Sequence, residues 1–452
     1  MLCPIEWRYC SKEMRKVLSE ENRISKMLEV EKVLLEALHE IGLVDKECVE
    51  KAKILTLEDL GGVNRIRQIE KEIGHEVMAL VKVLSETLGR CGQFVHFGAT
   101  SNDIIDTAWI LVIKDALQVV KSKVGSLIEK LMSLAEKHEE TIMVGRTHGQ
   151  HALPITFGFK LINHALEIAL GLERLRDCEK RVLVGKMSGA VGTMAAWRGK
   201  GLKIEEYVMK RLGLKRVEIS TQVISRDRLA ELICNLAILS SSIARFAEEI
   251  RNLQRPEILE VAEGFSEDKQ VGSSTMPHKK NPIKAERICG LARVMRGLVI
   301  PALENIILWH ERDLTNSSSE RIIITHSLAI MDQILEDAIS LVTGLVVYEE
   351  NMKKNLEVTK GLNMSESIMV ALTLKGMPRN EAHELVRRLS MKAYRENKSL
   401  KEVLVNNKKI REFLSESEID DLLKPEKYLG NCKELMEKAK IRIKEILKGS
   451  LK

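Results

Sequence analysis

The chain has 452 residues, 44% of them apolar and 30% charged, with a formal net charge of +6. That length exceeds one compact core and points to two or three domains of a globular, water-soluble protein. The small excess of 71 basic over 65 acidic residues suits anionic small molecules, and no Lys/Arg tract is interleaved with the stacking aromatics that nucleic acid requires. The eight cysteines include no Cys-x-x-Cys pair, so they read as reduced thiols in a cytoplasm. Met1-Leu2-Cys3-Pro4 runs at once into charged residues, so no signal peptide is expected. No uncharged run approaches the roughly 20 residues that span a bilayer.

In chain order, Trp7-Arg8-Tyr9 precedes a helical pattern over residues 12–41, where Met27, Val30, Leu34, Leu38 and Ile41 recur at helical spacing. Shorter helices follow over 46–90, broken near Gly61-Gly62. They include Glu72-Ile-Gly-His75-Glu-Val77; a lone histidine on an amphipathic helix is usually structural. Residues 91–103 read as a loop ending in Thr100, Ser101, Asn102 and Asp103, just before an apolar run from Ile104 to about Leu134. These four residues can cap the helix, or offer donors to a carboxylate at its positive end.

Residues 143–160 form the next break and contain His148 and His151. A metal pair is disfavoured, because no third ligand is evident and Pro154 follows closely. An imidazole acting as acid or base is the better reading. Long helices are expected over 156–183, 227–262, 283–310 and 322–347. Between the first two lies a Gly-rich connection ending at Ser220-Thr-Gln222-Val-Ile-Ser-Arg226. Helices of this length belong to an elongated bundle whose apolar faces need partners.

The largest break spans 264–286. It brings together the hydroxyls of Ser273, Ser274 and Thr275 and the ammonium groups of Lys279 and Lys280. Asn281 reads as an N-cap with Pro282 at the first helical position, so the free N–H groups of the new helix would face an anion. Residues 310–321 add five charges and three serines, costly inside a bundle unless exposed or used. After about residue 348 smaller amphipathic helices mark a C-terminal domain.

Gly272-Ser273-Ser274-x-Met276-Pro277-x-Lys279-x-Asn281-Pro282 resembles the signature of the fumarase/aspartase superfamily. Together with His96-Phe-Gly-Ala-Thr-Ser-Asn-Asp103, Gly145-Arg-Thr-His-Gly-Gln150, the 309–321 stretch and Arg8-Tyr9, it makes the whole chain similar to the adenylosuccinate lyase family. The resemblance implies an all-α fold of three helical domains, 1–95, 96–347 and 348–452. It also implies a central long-helix bundle that associates into a tetrameric core, with active sites shared between subunits. The activity implied is β-elimination of fumarate from a succinyl-amino nucleotide, with no metal and no organic cofactor.

By the same resemblance Ser273 is the base, with Ser274 as the fallback. His148 is the general acid, Glu286 the carboxylate that orients it, and His75 a second active-site histidine. Lys279 and Thr147 match carboxylate contacts, and Asn281 stands beside them. Thr100, Ser101 and Gln222 match substrate contacts, and Arg8, Tyr9, Arg312, Ser317 and Arg321 match nucleotide and phosphate contacts. Many relatives carry an arginine where this chain has Gly74, so one phosphate or carboxylate contact is expected to be missing or supplied elsewhere. Two other readings compete: argininosuccinate lyase or a carboxymuconate cycloisomerase, and a non-catalytic helical oligomer.

Overall fold

A computed structural model describes residues 3–264, 275–276 and 278–449. Helices dominate it, as the all-α expectation requires. Four are long: Ser101–Lys137, Phe157–Val182, Asp227–Leu253 and Thr315–Thr343. Among the described residues β-structure is confined to three two-stranded pieces. The largest is the antiparallel hairpin Ile142–Thr147/Gln150–Thr156.

Several boundaries differ from the sequence expectation for local reasons. The helix expected over 12–41 is two helices, Lys12–Leu18 and Glu20–Glu40. Ser19 divides them: its backbone is extended (φ −62, ψ 149) and its hydroxyl accepts the Asn22 N–H at 3.1 Å, a side-chain cap that starts a new helix. The 227–262 helix stops at Leu253, and the 283–310 run divides into Ile283–Gly297 and Val299–Glu304. The last long helix begins at Thr315, so Ser317 and Arg321 stand on its first turns.

The cysteine expectation is corrected at one pair. Cys48, on helix Lys46–Ile54, and Cys91, in the short 3-10 helix Gly89–Phe94, are disulfide-bonded with Cα atoms 5.1 Å apart. Their separation of 43 residues leaves no local spacing that a sequence reading could detect. The other six cysteines are free thiols.

The chain divides into two compact units. One comprises Met1–Val124, Gly171–Ser241 and Gly290–Glu336, the other Gly125–Leu170, Ser242–Cys289 and Asp337–Lys452. In the first unit Met27, Leu34 and Leu38 of helix Glu20–Glu40 share a core with Leu80 and Leu84 of helix Glu76–Leu88 and Ile204 of helix Gly201–Leu212. Each such side chain contributes about 1.5–3 kcal/mol on leaving water. The same unit buries a charge pair, Asp103 with Lys186, both fully enclosed. The Asp103 carboxylate also accepts the N–H groups of Thr100 (2.8 Å), Ser188 (2.8 Å) and Gly189 (2.9 Å). Four donors on one carboxylate make a buried ion tolerable, and they fix the start of helix Ser101–Lys137 against residues 186–189.

The second unit has its own core, with Ile368, Leu372, Leu400, Leu404 and Ile410 at its centre. It also buries His164, edge-on against the Phe246 ring at 5.5 Å, with Nδ1 unpartnered. Burial drives the His164 imidazole down to about 4 from 6.5, and nearby Arg245 adds to the fall. The folded chain therefore binds this proton less readily than the unfolded one. Stability from His164 is present in full above pH 6.5 and is lost as the pH drops toward 4, by about 3 kcal/mol in all. Thermal melts between pH 7 and 4.5 are expected to fall less steeply for His164→Leu than for the parent. Parallel slopes would contradict this assignment.

Helix Asp227–Leu253 is long and apolar enough to cross a membrane by length and composition, and 56% of its most apolar window is buried. Leu236, Leu239, Ile243 and Phe246 on this helix are fully buried.

Candidate active site

The site residues expected from the sequence fall into two groups, one on each unit. In the first unit, Gly74 closes helix Gly62–Ile73 in the left-handed conformation (φ 72) and His75 begins the next helix. The His75 Nδ1 accepts the Met78 N–H at 3.3 Å, which leaves its proton on Nε2. That Nε2–H donates to the Ser101 hydroxyl at 3.3 Å, so two of the expected residues are in contact. Gly74 serves as a C-cap here, a role that suits glycine at positive φ.

Arg312 donates from Nη1 to the Gln222 side-chain oxygen at 3.0 Å, and the Gln222 N–H reaches the Glu311 carbonyl at 3.4 Å. Arg312, Ser317 and Arg321 line one small cavity together with Arg23, Glu76 and Asn102. Arg321 also approaches Glu76 at 3.5 Å. Burial raises the Glu76 carboxyl, but Arg23 and Arg321 outweigh it and hold the group below its usual range. Burial lowers the Arg312 guanidinium from its ordinary value. Thr100 donates its N–H to Asp103 at the helix start. Arg8 and Tyr9 sit just ahead of Cys10 and Ser11, whose N–H groups donate to Gln333 and Asp332 of helix Thr315–Thr343. Among the described residues the Arg8 and Tyr9 side chains make no hydrogen bond.

The second unit carries the other group. His148 lies at the hairpin tip with φ 54, beside Thr147, and both are exposed. Lys279, Asn281 and Glu286 line an open cavity of about 600 Å³ with His278, Arg251 and Arg255. Among the described residues no hydrogen bond joins His148 to Glu286. Ser273 and Ser274 lie outside the described residues.

The expected anion seat at the helix start needs correction. Regular helix begins at Ile283, and the N–H groups of Lys284 and Ala285 are taken by the Glu263 carboxylate at 3.0 and 3.3 Å. A helix start needs an acceptor, and a carboxylate at its positive pole is the strongest side-chain cap. Glu263 is buried, which raises its carboxyl above the usual range. Gln254 accepts the Glu263 N–H at 2.8 Å and donates to the Lys280 carbonyl at 3.1 Å, tying a residue ahead of the signature stretch and one within it to one side chain. The cation supply at this place is therefore Lys279, Lys280, Arg251 and Arg255 rather than free helix N–H groups.

Comparison with known proteins separates this chain from others of the same fold. Residues 9–297 match the family described as Lyase, and residues 361–439 match the one described as Adenylosuccinate lyase C-terminus. The chain is 48% identical over 448 residues to the adenylosuccinate lyase of Pyrococcus horikoshii, with 99% of each chain covered. The chain belongs to the adenylosuccinate lyase family. The fold is shared more widely. A fumarate lyase from Mesorhizobium sp. BNC1 superposes with a TM-score of 0.86 at 31% identity, covering 97% of this chain and 98% of its own. A 3-carboxy-cis,cis-muconate lactonizing enzyme from Pseudomonas putida gives 0.87 at 29%, covering 98% and 99%. Fold alone thus leaves the chemistry open, and the C-terminal match together with the full-length identity decides the family.

The motifs of this chain stand out in its sequence, but the groups that hold them in place do not. Arg226 is buried between Asp106 and Glu320, 2.8 Å from each. Burial would lower its guanidinium, yet Asp106 and Glu320 raise it. Burial would likewise raise Asp106, and the paired guanidinium brings it down. Glu320 moves up, because burial outweighs its share of Arg226. The ionic bond is chiefly Arg226–Asp106. Asp106 also takes the Ile224 N–H at 2.9 Å, so this cluster fixes the 222–226 stretch that presents Gln222 to Arg312.

Proposed function

We propose that this chain eliminates fumarate from adenylosuccinate, giving AMP, and from the succinyl-aminoimidazole-carboxamide ribotide of purine biosynthesis, giving AICAR. The observation that carries the reading is end-to-end identity of 48% with a protein of that name, joined to the family-specific C-terminal match. The geometry supports it. Two guanidinium groups and a hydroxyl, Arg312, Arg321 and Ser317, line one small cavity with Glu76 and Glu320; guanidinium groups are the donors that pair with a phosphate monoester, which an argininosuccinate or a muconate lacks.

In this reading Ser273, or failing it Ser274, removes the proton from the carbon beside a succinyl carboxylate. The electron pair forms the new double bond of fumarate as the C–N bond breaks, and His148 gives a proton to the departing nitrogen. The negative charge left by proton removal spreads into the carboxylate before the C–N bond is fully broken, where Lys279, Thr147 and Asn281 supply donors; one well-placed donor lowers the barrier by about 3 kcal/mol. His75 and Ser101, with Thr100, Gln222, Arg8 and Tyr9, position the nucleotide. Glu286 orients His148 from another copy of the chain. The assembly is a homotetramer with shared sites, acting in the cytoplasm on small molecules, without a nucleic-acid or membrane partner. Its three domains are 1–95, 96–347 and 348–452.

The test is the ultraviolet absorbance change on adding adenylosuccinate to the purified protein. Steady turnover with release of fumarate is expected. A flat trace, with turnover of argininosuccinate instead, would overturn the proposal.

A further inference from the structure

The hairpin that carries His148 is built to hold one aim. Its strands pair from Ile142↔Thr156 to Thr147↔Gln150, with a bulge between Val144 and Arg146. Gly145 sits at that bulge, where a Cβ would lie 2.7 Å from the Leu153 carbonyl oxygen, so no side chain fits. At the tip His148 (φ 54) and Gly149 (φ 73) are both left-handed, the backbone of a tight two-residue turn matched to the twist of the strands. A non-glycine residue in that conformation persists only where its surroundings enforce it.

The tip does not anchor itself. Thr147, His148, Gly149 and Gln150 are exposed. Among the described residues the side chains of Thr147, His148 and Gln150 make no hydrogen bond. The tie lies one rung lower. Arg146 grips Glu260 with both terminal nitrogens, Nη1 to Oε2 at 2.9 Å and Nη2 to Oε1 at 2.7 Å. Glu260 is fully buried, and Asn355 Nδ2 donates to its Oε1 at 2.8 Å and to the Ile258 carbonyl at 2.9 Å. The Glu260 backbone is held as well, its N–H by the Leu253 carbonyl and its carbonyl by the Tyr348 N–H. A planar two-pronged contact fixes angle as well as distance, which a lysine ammonium cannot do.

We infer that Arg146, clamped on Glu260, which Asn355 holds in turn, is a positioning residue that aims His148 at the nitrogen it protonates. The inference rests on the proposed role of His148 as acid. Misplacing a reacting group by about 1 Å costs on the order of 10²-fold in rate. Arg146→Gln is therefore expected to lower kcat by about that factor while KM shifts only a few-fold; it also leaves buried Glu260 without its cation, so the kinetics are read at a temperature well below the variant's own melting transition. Arg146→Lys should fall between. For Arg146→Ala, millimolar guanidinium chloride should restore part of kcat, and methylammonium chloride at the same concentration should not. In a His148→Ala background Arg146→Gln should cause no further loss, because both changes remove the same proton transfer. Asn355→Ala, a milder cut in the same clamp, serves if the arginine variants fold poorly, and should also lower kcat rather than raise KM.

An inactive His148→Ala beside an Arg146→Gln of parental kcat would overturn the inference and leave the reading of His148 intact. A His148→Ala enzyme of parental activity would remove that reading, and the inference with it.

Discussion

Replacing His148 or Ser273 by alanine is expected to cut turnover of adenylosuccinate by about 10²–10⁴-fold, the range for loss of a positioned acid or base. His148 is exposed at a hairpin tip and its side chain supports no core contact, so the loss should come without a change in melting temperature or assembly. In the proposed mechanism the two groups have opposite tasks. A serine hydroxyl is a poor base, and in that mechanism its alkoxide must be favoured by nearby positive charge. An imidazole can deliver a proton to the leaving nitrogen. The check is steady-state kinetics beside size-exclusion chromatography and thermal melts. A Ser273→Ala/His148→Ala double variant that still turns over would rule out the pair.

The second large effect lies in the packing below the proposed phosphate site. Arg226→Met is expected to destabilise the fold by about 3–5 kcal/mol, because it leaves two buried carboxylates without their cation. Arg226, Asp106 and Glu320 are 5%, 5% and 7% exposed, so water cannot take the place of the guanidinium. The Ile224 N–H and the 222–226 stretch depend on the same cluster, so KM for the nucleotide should rise as Gln222 and Arg312 lose their mutual placement. Urea unfolding followed by circular dichroism at pH 7 measures the first effect and initial-rate kinetics the second. A stability loss below about 1 kcal/mol, typical of an exposed ion pair, would contradict this account.

How much of this was legible in the sequence differs from feature to feature. Periodicity located the long helices because an apolar stripe at helical spacing is a local signal, as with Met27, Leu34 and Leu38. The breaks between them marked the motif-bearing loops for the same reason. The hairpin over Ile142–Thr156 was visible only as a break, since Gly145, Gly149 and Pro154 interrupt the alternation that would announce strands. The pairings that fix the sites were hidden by distance along the chain. Arg146 and Glu260 are 114 residues apart, and Arg226 and Asp106 are 120 apart. A sequence shows that a charge stands at a given place on a helix; which opposite charge it meets is decided by how the helices pack. Glu263 illustrates the cost of local reasoning. The free donors expected at the helix after Pro282 are closed by a carboxylate that precedes the signature stretch.

The central claim is a fumarate-releasing site completed by more than one copy of the chain. Its most direct test is to mix inactive His148→Ala and Ser273→Ala proteins, let the subunits exchange, and follow adenylosuccinate absorbance. The account predicts that activity returns in the mixture, because some sites then draw an intact histidine and an intact serine from different copies. A mixture as inactive as its parts, after exchange has been verified, would contradict it.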